Sequence, residues 1–148
     1  MTEPIVPHDF PVPRSFDGTG YHLEPLGPIH NERDHAAWMG SIEHIRSTLG
    51  FPMADGWPYP MSLDDNLSDL EGHLVEFEDR TAFAYSVLDE DEVIGCVYVT
   101  PDPDSARGVG LRSWVVETHA DLDEVVRDEV TEWLVAAWPF PTVTRIVE

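Results

Sequence analysis

The sequence predicts an α/β fold, of the mixed α+β kind, built around a mixed central sheet. Apolar residues recur at spacings of three and four in three segments, which is the period of an amphipathic helix. In a central block they alternate with a period of two, which is the period of a strand. At 148 residues and 42% hydrophobic content, the chain is long enough for one domain with its own core. The predicted order is strand, helix, helix, three-strand meander, helix and strand.

Residues 1–20 are predicted to form an extended arm that precedes a single domain at residues 21–148. The arm contains four prolines, which fix φ and remove backbone donors, and it ends in a glycine-rich turn. Residues 21–26 alternate between apolar and polar side chains, as a short strand does. Pro25 favours an edge or a bulge for that strand.

Two helices are predicted to follow the first strand. Asn31 is suited to cap the first helix, whose apolar stripe recurs every three or four residues. The stripe consists of Trp38, Ile42, Ile45 and Leu49. Gly50 ends this helix, and residues 50–61 form a loop rich in proline and aromatic residues. Ser62, with Asp65 three residues later, is close to a capping box and begins the second helix.

The three-strand meander is predicted where the apolar period changes to two. Its strands are assigned to residues 82–88, 93–100 and 111–116. An acidic turn at 89–92 joins the first two strands, and a loop at 101–110 leads to the third.

A last helix and a last strand complete the predicted fold. Asp121 and Glu124 are suited to cap the helix, whose apolar face runs over residues 122–138. A helix of this length suffices for a right-handed crossover. We therefore expect the strands at 111–116 and 142–147 to lie side by side and parallel.

A competing interpretation begins the last helix earlier. The stretch 107–110, Arg-Gly-Val-Gly, is similar to a phosphate-binding loop, and helical spacing can be read from Leu111 onward to Trp138. However, residues 113–116 are strand-like, and the cap at Asp121 would then fall inside a helix. The two interpretations differ in whether residues 111–116 are strand or helix.

The charge of the chain restricts its partners. The sequence has 29 acidic and 8 basic residues, all arginine, for a formal net charge of −21. Such a field repels nucleic acids and anionic membranes and attracts cationic small molecules.

Other classes of site are disfavoured by the residues present. Cys96 is the single cysteine, so an internal disulfide is excluded, and the seven histidines show no metal-ligand spacing. No metal site is therefore expected. No apolar run is long enough to span a bilayer and the N-terminus lacks a signal-peptide pattern, so a cytoplasmic protein is expected.

The element order and the strand Val93-Ile94-Gly95-Cys96-Val97-Tyr98-Val99 resemble the GNAT superfamily of acyl-CoA-dependent N-acyltransferases. The resemblance covers roughly residues 20–147. It implies that the strands at 111–116 and 142–147 splay apart around the pantetheine arm of acetyl-CoA. It also implies that a backbone N–H near Val115 or Val116 polarises the acyl carbonyl. By this resemblance the cofactor-binding residues are Trp114, Val115, Val116 and Thr118.

The chain departs from the family at the phosphate-binding loop. The resemblance calls for glycines and an arginine or glutamine after Val116, whereas residues 117–124 contain no glycine and no arginine. Four carboxylates occupy this stretch: Glu117, Asp121, Asp123 and Glu124. We expect this degenerate loop to weaken the binding of acetyl-CoA or abolish it. The family's further C-terminal helix-strand pair, which often carries a tyrosine general acid, is expected to be missing or supplied elsewhere.

Candidate residues for the acceptor side come from the first helix, its loop and the meander. The resemblance implies that an acceptor amine binds near the first helix. The substrate-binding candidates are Trp38, Glu43, Trp57, Tyr59 and Tyr85. The catalytic candidates are His44, which together with Glu43 is suited to position or deprotonate an amine, and Tyr98. Core packing is the competing role for Trp38, and for the two strand tyrosines.

Trp57 lies on the predicted loop, and we therefore expect Trp57→Ala to abolish ligand binding with little change in melting temperature. The leading functional hypothesis is an N-acetyltransferase in which a small cationic amine attacks the thioester of acetyl-CoA directly. One alternative is a catalytically inactive GNAT-fold protein that binds a ligand or a protein partner. Another is a structural homodimer whose last strand completes a neighbour's sheet.

Overall fold

A mixed sheet of six strands lies at the centre of the computed structural model, which describes residues 3–48, 50–51 and 56–146. The strands lie in chain order across the sheet. They are β1 (Phe16–Gly18), β2 (Tyr21–Pro25), β3 (Phe83–Asp89), β4 (Glu92–Pro101), β5 (Val109–Val115) and β6 (Val143–Arg145). The pairs from β1 to β5 are antiparallel, and β5 and β6 are parallel. The predicted mixed sheet is confirmed.

The pairing of β5 with β6 decides between the two interpretations of the last helix. Val109 is opposite Val143 and Leu111 is opposite Arg145 in a parallel register. Residues 109–115 are therefore strand, and the helix that would begin at Leu111 is wrong. The expected adjacent, parallel arrangement of the last two strands is confirmed.

Four α-helices pack on this sheet within the described residues. They are α1 (Asn31–Met39), α2 (Ile42–Arg46), α3 (Leu63–Asp79) and α4 (Asp123–Ala137). Short 3₁₀ turns precede α1 at Pro28–His30 and α4 at Glu117–Leu122. The predicted cap of α3 is confirmed, since Ser62 Oγ accepts a hydrogen bond of 3.0 Å from the Asp65 backbone N–H.

The first predicted helix is interrupted. Instead of one helix, the chain forms α1 and α2 with a break at Gly40 and Ser41, and Leu49 lies outside the described residues. Asn31 does not cap α1, because it is the first helical residue and its Nδ2 donates to the Leu63 carbonyl at 3.2 Å. This bond joins the start of α1 to the start of α3.

The predicted cap of the last helix is also wrong. Helix α4 begins at Asp123, its N-cap residue is Leu122, and no side-chain hydrogen bond caps it. Asp121 lies in the preceding 3₁₀ turn.

The N-terminal segment packs on the domain and ends in a strand. Residues 16–18, which fall in the predicted arm, form β1 and pair with β2. Further upstream, the Ile5 backbone N–H donates to the Arg80 carbonyl at 2.8 Å, and Tyr85 Oη donates to the Pro13 carbonyl at 2.6 Å. The arm is thus hydrogen-bonded to the C-terminal end of α3 and to β3.

The strand register separates the two faces of the sheet. Tyr98 is opposite Ala84, and Trp114 is opposite Cys96, so these side chains share one face. Tyr85 is opposite Val97 and therefore points to the other face, where its ring centroid lies 5.6 Å from that of Trp133 of α4.

Candidate functional site

A cavity of about 350 Å³ lies between α1, α3, β4 and the segment that precedes α3. It opens on the sheet face that carries Tyr98. Its lining residues are Leu26, Asp34, Trp38, Trp57, Tyr59, Asn66, Asp69, Leu70, His73 and Tyr98. A cavity of this size suits a small molecule.

Aromatic rings form much of the cavity wall. Trp38 is fully buried, and its ring centroid lies 5.2 Å from that of Trp57. Tyr59 is 48% exposed and lies at the rim. Rigid aromatic walls of this kind bury ligand area with little loss of conformational entropy and favour cations over their faces.

Trp57 lies on a loop, as predicted, but its side chain also packs against the core. Its ring centroid also lies 5.9 Å from that of Phe51 and 5.8 Å from that of Trp114, so the side chain bridges α1 and the sheet. These contacts make Trp57 part of the packing as well as of the cavity wall. The expectation that Trp57→Ala leaves the melting temperature nearly unchanged is not supported by this environment.

A buried hydrogen-bond network supports the deep end of the cavity. Asn66 Nδ2 donates to Asp34 Oδ2 at 3.1 Å and to Asn31 Oδ1 at 2.8 Å. Asn66 Oδ1 accepts from Trp38 Nε1 at 3.1 Å. The amide of Asn66 is therefore oriented by three partners, and it in turn fixes the Asp34 carboxylate.

The charge inside the cavity is negative. Burial raises the pKa of Asp34 to about 6, an effect that the hydrogen bond from Asn66 only partly offsets. Burial lowers the pKa of His73, so its imidazole is neutral at pH 7. Asp69 adds a second carboxylate, and no arginine is among the described lining residues. At neutral pH the cavity therefore favours a cation.

Tyr98 connects the cavity to β5. Its hydroxyl oxygen accepts a hydrogen bond of 3.0 Å from Trp114 Nε1. Burial raises its pKa, so the side chain is a neutral phenol at pH 7. Its ring centroid also lies 5.7 Å from that of His73.

The other sequence candidates lie away from the cavity. Glu43 is exposed on α2 and does not line the cavity. His44, on the same helix, has a buried Nε2 without a hydrogen-bond partner in the described part of the chain, and it too is absent from the lining. Tyr85 is buried on the opposite face of the sheet. The structure thus brings together Trp38, Trp57, Tyr59 and Tyr98, but not Glu43, His44 or Tyr85.

Sequence reasoning missed four polar lining residues. Asp34 precedes Trp38 by four residues on α1, while Asn66, Asp69 and His73 recur at spacings of three and four on α3. Applying the helical period to polar as well as apolar residues would have found this shared face.

The backbone of β5 distinguishes the two predicted oxyanion donors. The Val116 N–H donates to the Ile94 carbonyl at 2.8 Å and is therefore engaged with β4. The Val109 N–H donates toward β6, to Thr142, and successive N–H groups alternate along a strand. Val115 therefore directs its N–H to the β6 side, where the described ladder ends with the bond from Ile146 to Leu111. Of the two candidates, only Val115 has the required direction.

The segment between β5 and α4 has its own partners. The Glu117 N–H donates to Ser41 Oγ at 3.1 Å, and Asp123 forms an ion pair of 2.6 Å with Arg127. Glu117, Asp121 and Glu124 are exposed, as is Thr118. The predicted phosphate-binding segment thus carries three exposed carboxylates that form no ion pair among the described residues.

The fold is that of the GNAT acetyltransferases. A ribosomal-protein-S5-alanine acetyltransferase from Vibrio fischeri superposes with a TM-score of 0.62 at 14% identity, over 83% of this chain and 68% of that one. RimL, a ribosomal L7/L12 α-N-protein acetyltransferase, superposes with a TM-score of 0.59 at 13% identity, over 79% of this chain and 62% of RimL. The microcin C7 self-immunity acetyltransferase MccE, solved with acetyl-CoA and AMP, superposes with a TM-score of 0.60 at 12% identity, over 81% of this chain and 62% of MccE.

At these identities the likeness shows the fold alone. The chain spans less than two thirds of the length of RimL and of MccE. No protein-family model matches the chain, and no curated protein matches it at a significant level.

Among residues 3–48, 50–51 and 56–146, no cluster of three or more His, Cys, Asp or Glu side chains is arranged to hold a metal ion. None of the helices in these residues is both long and apolar enough to cross a membrane.

Proposed function

We propose that the protein is an acyl-CoA-dependent N-acyltransferase whose acceptor is a small cationic amine. The observation that carries this proposal is the aromatic cavity with a buried carboxylate, Asp34, joined through Tyr98 and Trp114 to β5. The resemblance to the GNAT superfamily implies that the acyl donor lies along that strand. The cavity therefore supports an acceptor site next to the thioester.

The acceptor is bound by charge and by aromatic contact. An ammonium group gains from the negative charge of Asp34 and Asp69 and from the faces of Trp38 and Trp57. The formal net charge of −21 raises the local concentration of cations around the whole molecule.

The residues fit the two ends of acetyl-CoA differently. The Val115 N–H has the direction needed to polarise a thioester carbonyl as negative charge develops on its oxygen. The phosphate end fits poorly, because the Glu117 N–H donates to Ser41 and the same segment carries three exposed carboxylates. We therefore propose a low affinity for the nucleotide part of the donor.

The chemistry is a direct transfer. The neutral amine attacks the thioester carbonyl, the C–N bond forms, the C–S bond breaks, and the thiolate leaves with the proton that the nitrogen loses. No side chain of the protein becomes acylated. The cavity contributes by holding the nitrogen in line with the carbonyl.

A second candidate function is ligand binding without catalysis. It is favoured by the same carboxylates and the Ser41–Glu117 bond, which work against the donor's pyrophosphate. In that case the cavity binds the amine but no acyl group is transferred.

One assay separates the two functions. Wild-type protein is incubated with acetyl-CoA and either spermidine or glucosamine, and thiol release and N-acetylated product are both measured. The proposed transferase gives product in proportion to released thiol. Stabilisation by the amine in a thermal shift, without product, identifies the binding protein instead.

A further inference from the structure

We propose that Asp34 is the catalytic base of this site: its carboxylate takes the proton that the bound ammonium loses before the amine attacks. This inference rests on the proposed function, because it assigns a residue to that reaction.

Asp34 is placed as a reacting group. The residue is only 4% exposed, yet it lines the cavity from α1, and Tyr98 on β4 lines the same cavity. A carboxylate this deeply buried is normally paired with a cation or held by several donors. Among the described residues no basic side chain lies within 4.0 Å of it, and Asn66 is the one donor to it, at Oδ2. The carboxylate therefore keeps bonding capacity for a ligand.

The support of Asp34 is rigid. Asn66 is held by Trp38 and Asn31 and cannot rotate without breaking both hydrogen bonds. Because Asn66 donates to Oδ2, the carboxylate has a fixed orientation relative to the cavity. Fixed geometry is what a proton acceptor needs when the donor nitrogen must also align with a carbonyl.

Several titratable groups lie near Asp34. His30 and His35 lower its pKa by their charge, and Asp69 raises it. Cys96 and Tyr98 on β4 also lie near it, and the Asp34 carboxylate raises the pKa of each of them. The two ring nitrogens of His30 contact the Gly27 N–H and the Glu24 carboxylate, and His35 contacts the Met61 carbonyl. Burial outweighs these influences and leaves the pKa of Asp34 near 6. At neutral pH the group is ionised and is a stronger base than an exposed carboxylate.

The step moves one proton to Asp34 and a second to the leaving thiolate. The ammonium gives one proton to Asp34 and becomes a neutral amine, whose lone pair forms the C–N bond. As the C–S bond breaks, the second proton of the nitrogen passes to the departing thiolate. Asp34 then releases its proton to solvent. The products are an amide, a thiol and one proton.

The other carboxylates are less suited to this role. Asp69 also lines the cavity, but it is exposed, so water competes for its contact with the amine. Glu43 is exposed and outside the cavity. Asp34 alone among these three combines burial with access to the cavity.

The test compares Asp34→Asn with Asp69→Asn. Initial rates of acetyl transfer from acetyl-CoA to spermidine are measured from pH 5 to about pH 9, the range that brackets a base of this kind. We expect kcat/KM of the wild type to rise with a midpoint near pH 6, the pKa of Asp34. Asp34→Asn should lower kcat about 10²- to 10⁴-fold and remove this rise. Asp69→Asn should raise KM and keep the rise.

The asparagine at position 34 can still accept from Asn66, so the variant is expected to fold, which far-UV circular dichroism checks. An Asp34→Asn protein with wild-type kcat and an unchanged pH profile would overturn the inference and leave the proposed function standing. A raised KM with unchanged kcat would reduce Asp34 to a binding residue and also overturn it. No transfer by the wild type, to spermidine or to glucosamine, would overturn the proposed function and this inference with it.

Discussion

The backbone N–H of Glu117 donates a hydrogen bond of 3.1 Å to the hydroxyl oxygen of Ser41. This bond joins the break between α1 and α2 to the segment between β5 and α4. A backbone donor at the predicted phosphate position is thereby satisfied by the protein itself. Together with the exposed carboxylates of Glu117, Asp121 and Glu124, it determines how the chain should respond to an anionic donor.

We expect acetyl-CoA to bind more tightly at high salt than at low salt. Like charges a few ångströms apart repel by about 1 kcal/mol in water, and salt screens this repulsion. Spermidine should show the opposite trend, because its binding is driven by attraction. Calorimetric titrations of both ligands at two ionic strengths measure whether each affinity rises or falls with salt. Micromolar binding of acetyl-CoA at low salt would contradict the expectation.

Neutralising the exposed carboxylates should tighten donor binding. The variant combines Glu117→Gln, Asp121→Asn and Glu124→Gln. A matched control removes the same number of charges from α3, with Asp64→Asn, Glu71→Gln and Asp79→Asn. If repulsion is local, only the first variant gains affinity for acetyl-CoA. Equal gains would assign the effect to the net charge of the whole protein.

Tyr59→Ala should weaken amine binding without destabilising the fold. Tyr59 lines the cavity but is 48% exposed, so its truncation removes ligand contact and little core packing. The thermal shift produced by spermidine is the measurement. Val135→Ala is the control, because Val135 is 63% exposed on α4 and lies outside the cavity. An undiminished shift in Tyr59→Ala would exclude Tyr59 from the acceptor site.

Trp57→Ala should lower the stability of the unliganded protein. The ring contacts Trp38, Phe51 and Trp114, so its removal leaves a gap between α1 and the sheet. We expect a loss of about 2–3 kcal/mol in the free energy of unfolding, below the range for a fully buried tryptophan. Denaturant unfolding measures it, and an unchanged midpoint would mean that the packing around Trp57 is loose.

The case of Trp57 illustrates what the sequence does not specify. Its flanking residues have the composition of a loop, and local composition carries no information about which distant side chains it meets. Tyr85 and Tyr98 show a related limit. The sequence predicts both as strand residues, but their faces depend on the β3–β4 register, which shifts between Val87 and Leu88. Tyr85 and Tyr98 lie on opposite faces of the sheet because of how β3 and β4 pair, and the pattern within one strand does not reveal that pairing.

The elements themselves were more accessible from the sequence. Strands β3 to β5 and helix α3 follow periods of two and of three to four, because each buries one face over its whole length. Helix ends were harder to predict. Asn31 donates a hydrogen bond to the Leu63 carbonyl and accepts one from Asn66, so a residue suited to capping forms tertiary contacts instead. The 3₁₀ turn at Glu117–Leu122 likewise separates Asp121 from the helix that it was expected to cap.

Two glycines should respond oppositely to alanine. A Cβ on Gly95 would lie 2.2 Å from the Trp114 carbonyl oxygen, which is backbone and cannot yield without disturbing the β4–β5 pairing. We expect Gly95→Ala to destabilise the protein by about 3 kcal/mol. Gly72 in α3 has open space around it, and Gly72→Ala should stabilise by about 0.5–1 kcal/mol. Thermal unfolding of the two variants tests the pair, and a stabilised Gly95→Ala would contradict the close approach.

Asp34 should reduce the stability of the protein at neutral pH. Its pKa is raised to about 6 in the folded state, above the ordinary value of 3.8. The folded protein therefore holds this proton more tightly than the unfolded chain. The stability that results is fully present below about pH 4 and is lost as the pH rises through 6.

Asp34→Asn removes this dependence because the amide does not titrate. The variant should be more stable than the wild type at pH 7–8, by on the order of 2–3 kcal/mol, and the difference should vanish near pH 4. Urea unfolding of both proteins across this range gives the difference directly, and subtracting the two curves removes the titration of other groups. Asp69→Asn, which removes a charge from the same cavity at an exposed position, controls for net charge. A wild type as stable as Asp34→Asn at pH 8 would show that the Asp34 carboxylate is well solvated, and would remove the physical basis for its role as a base.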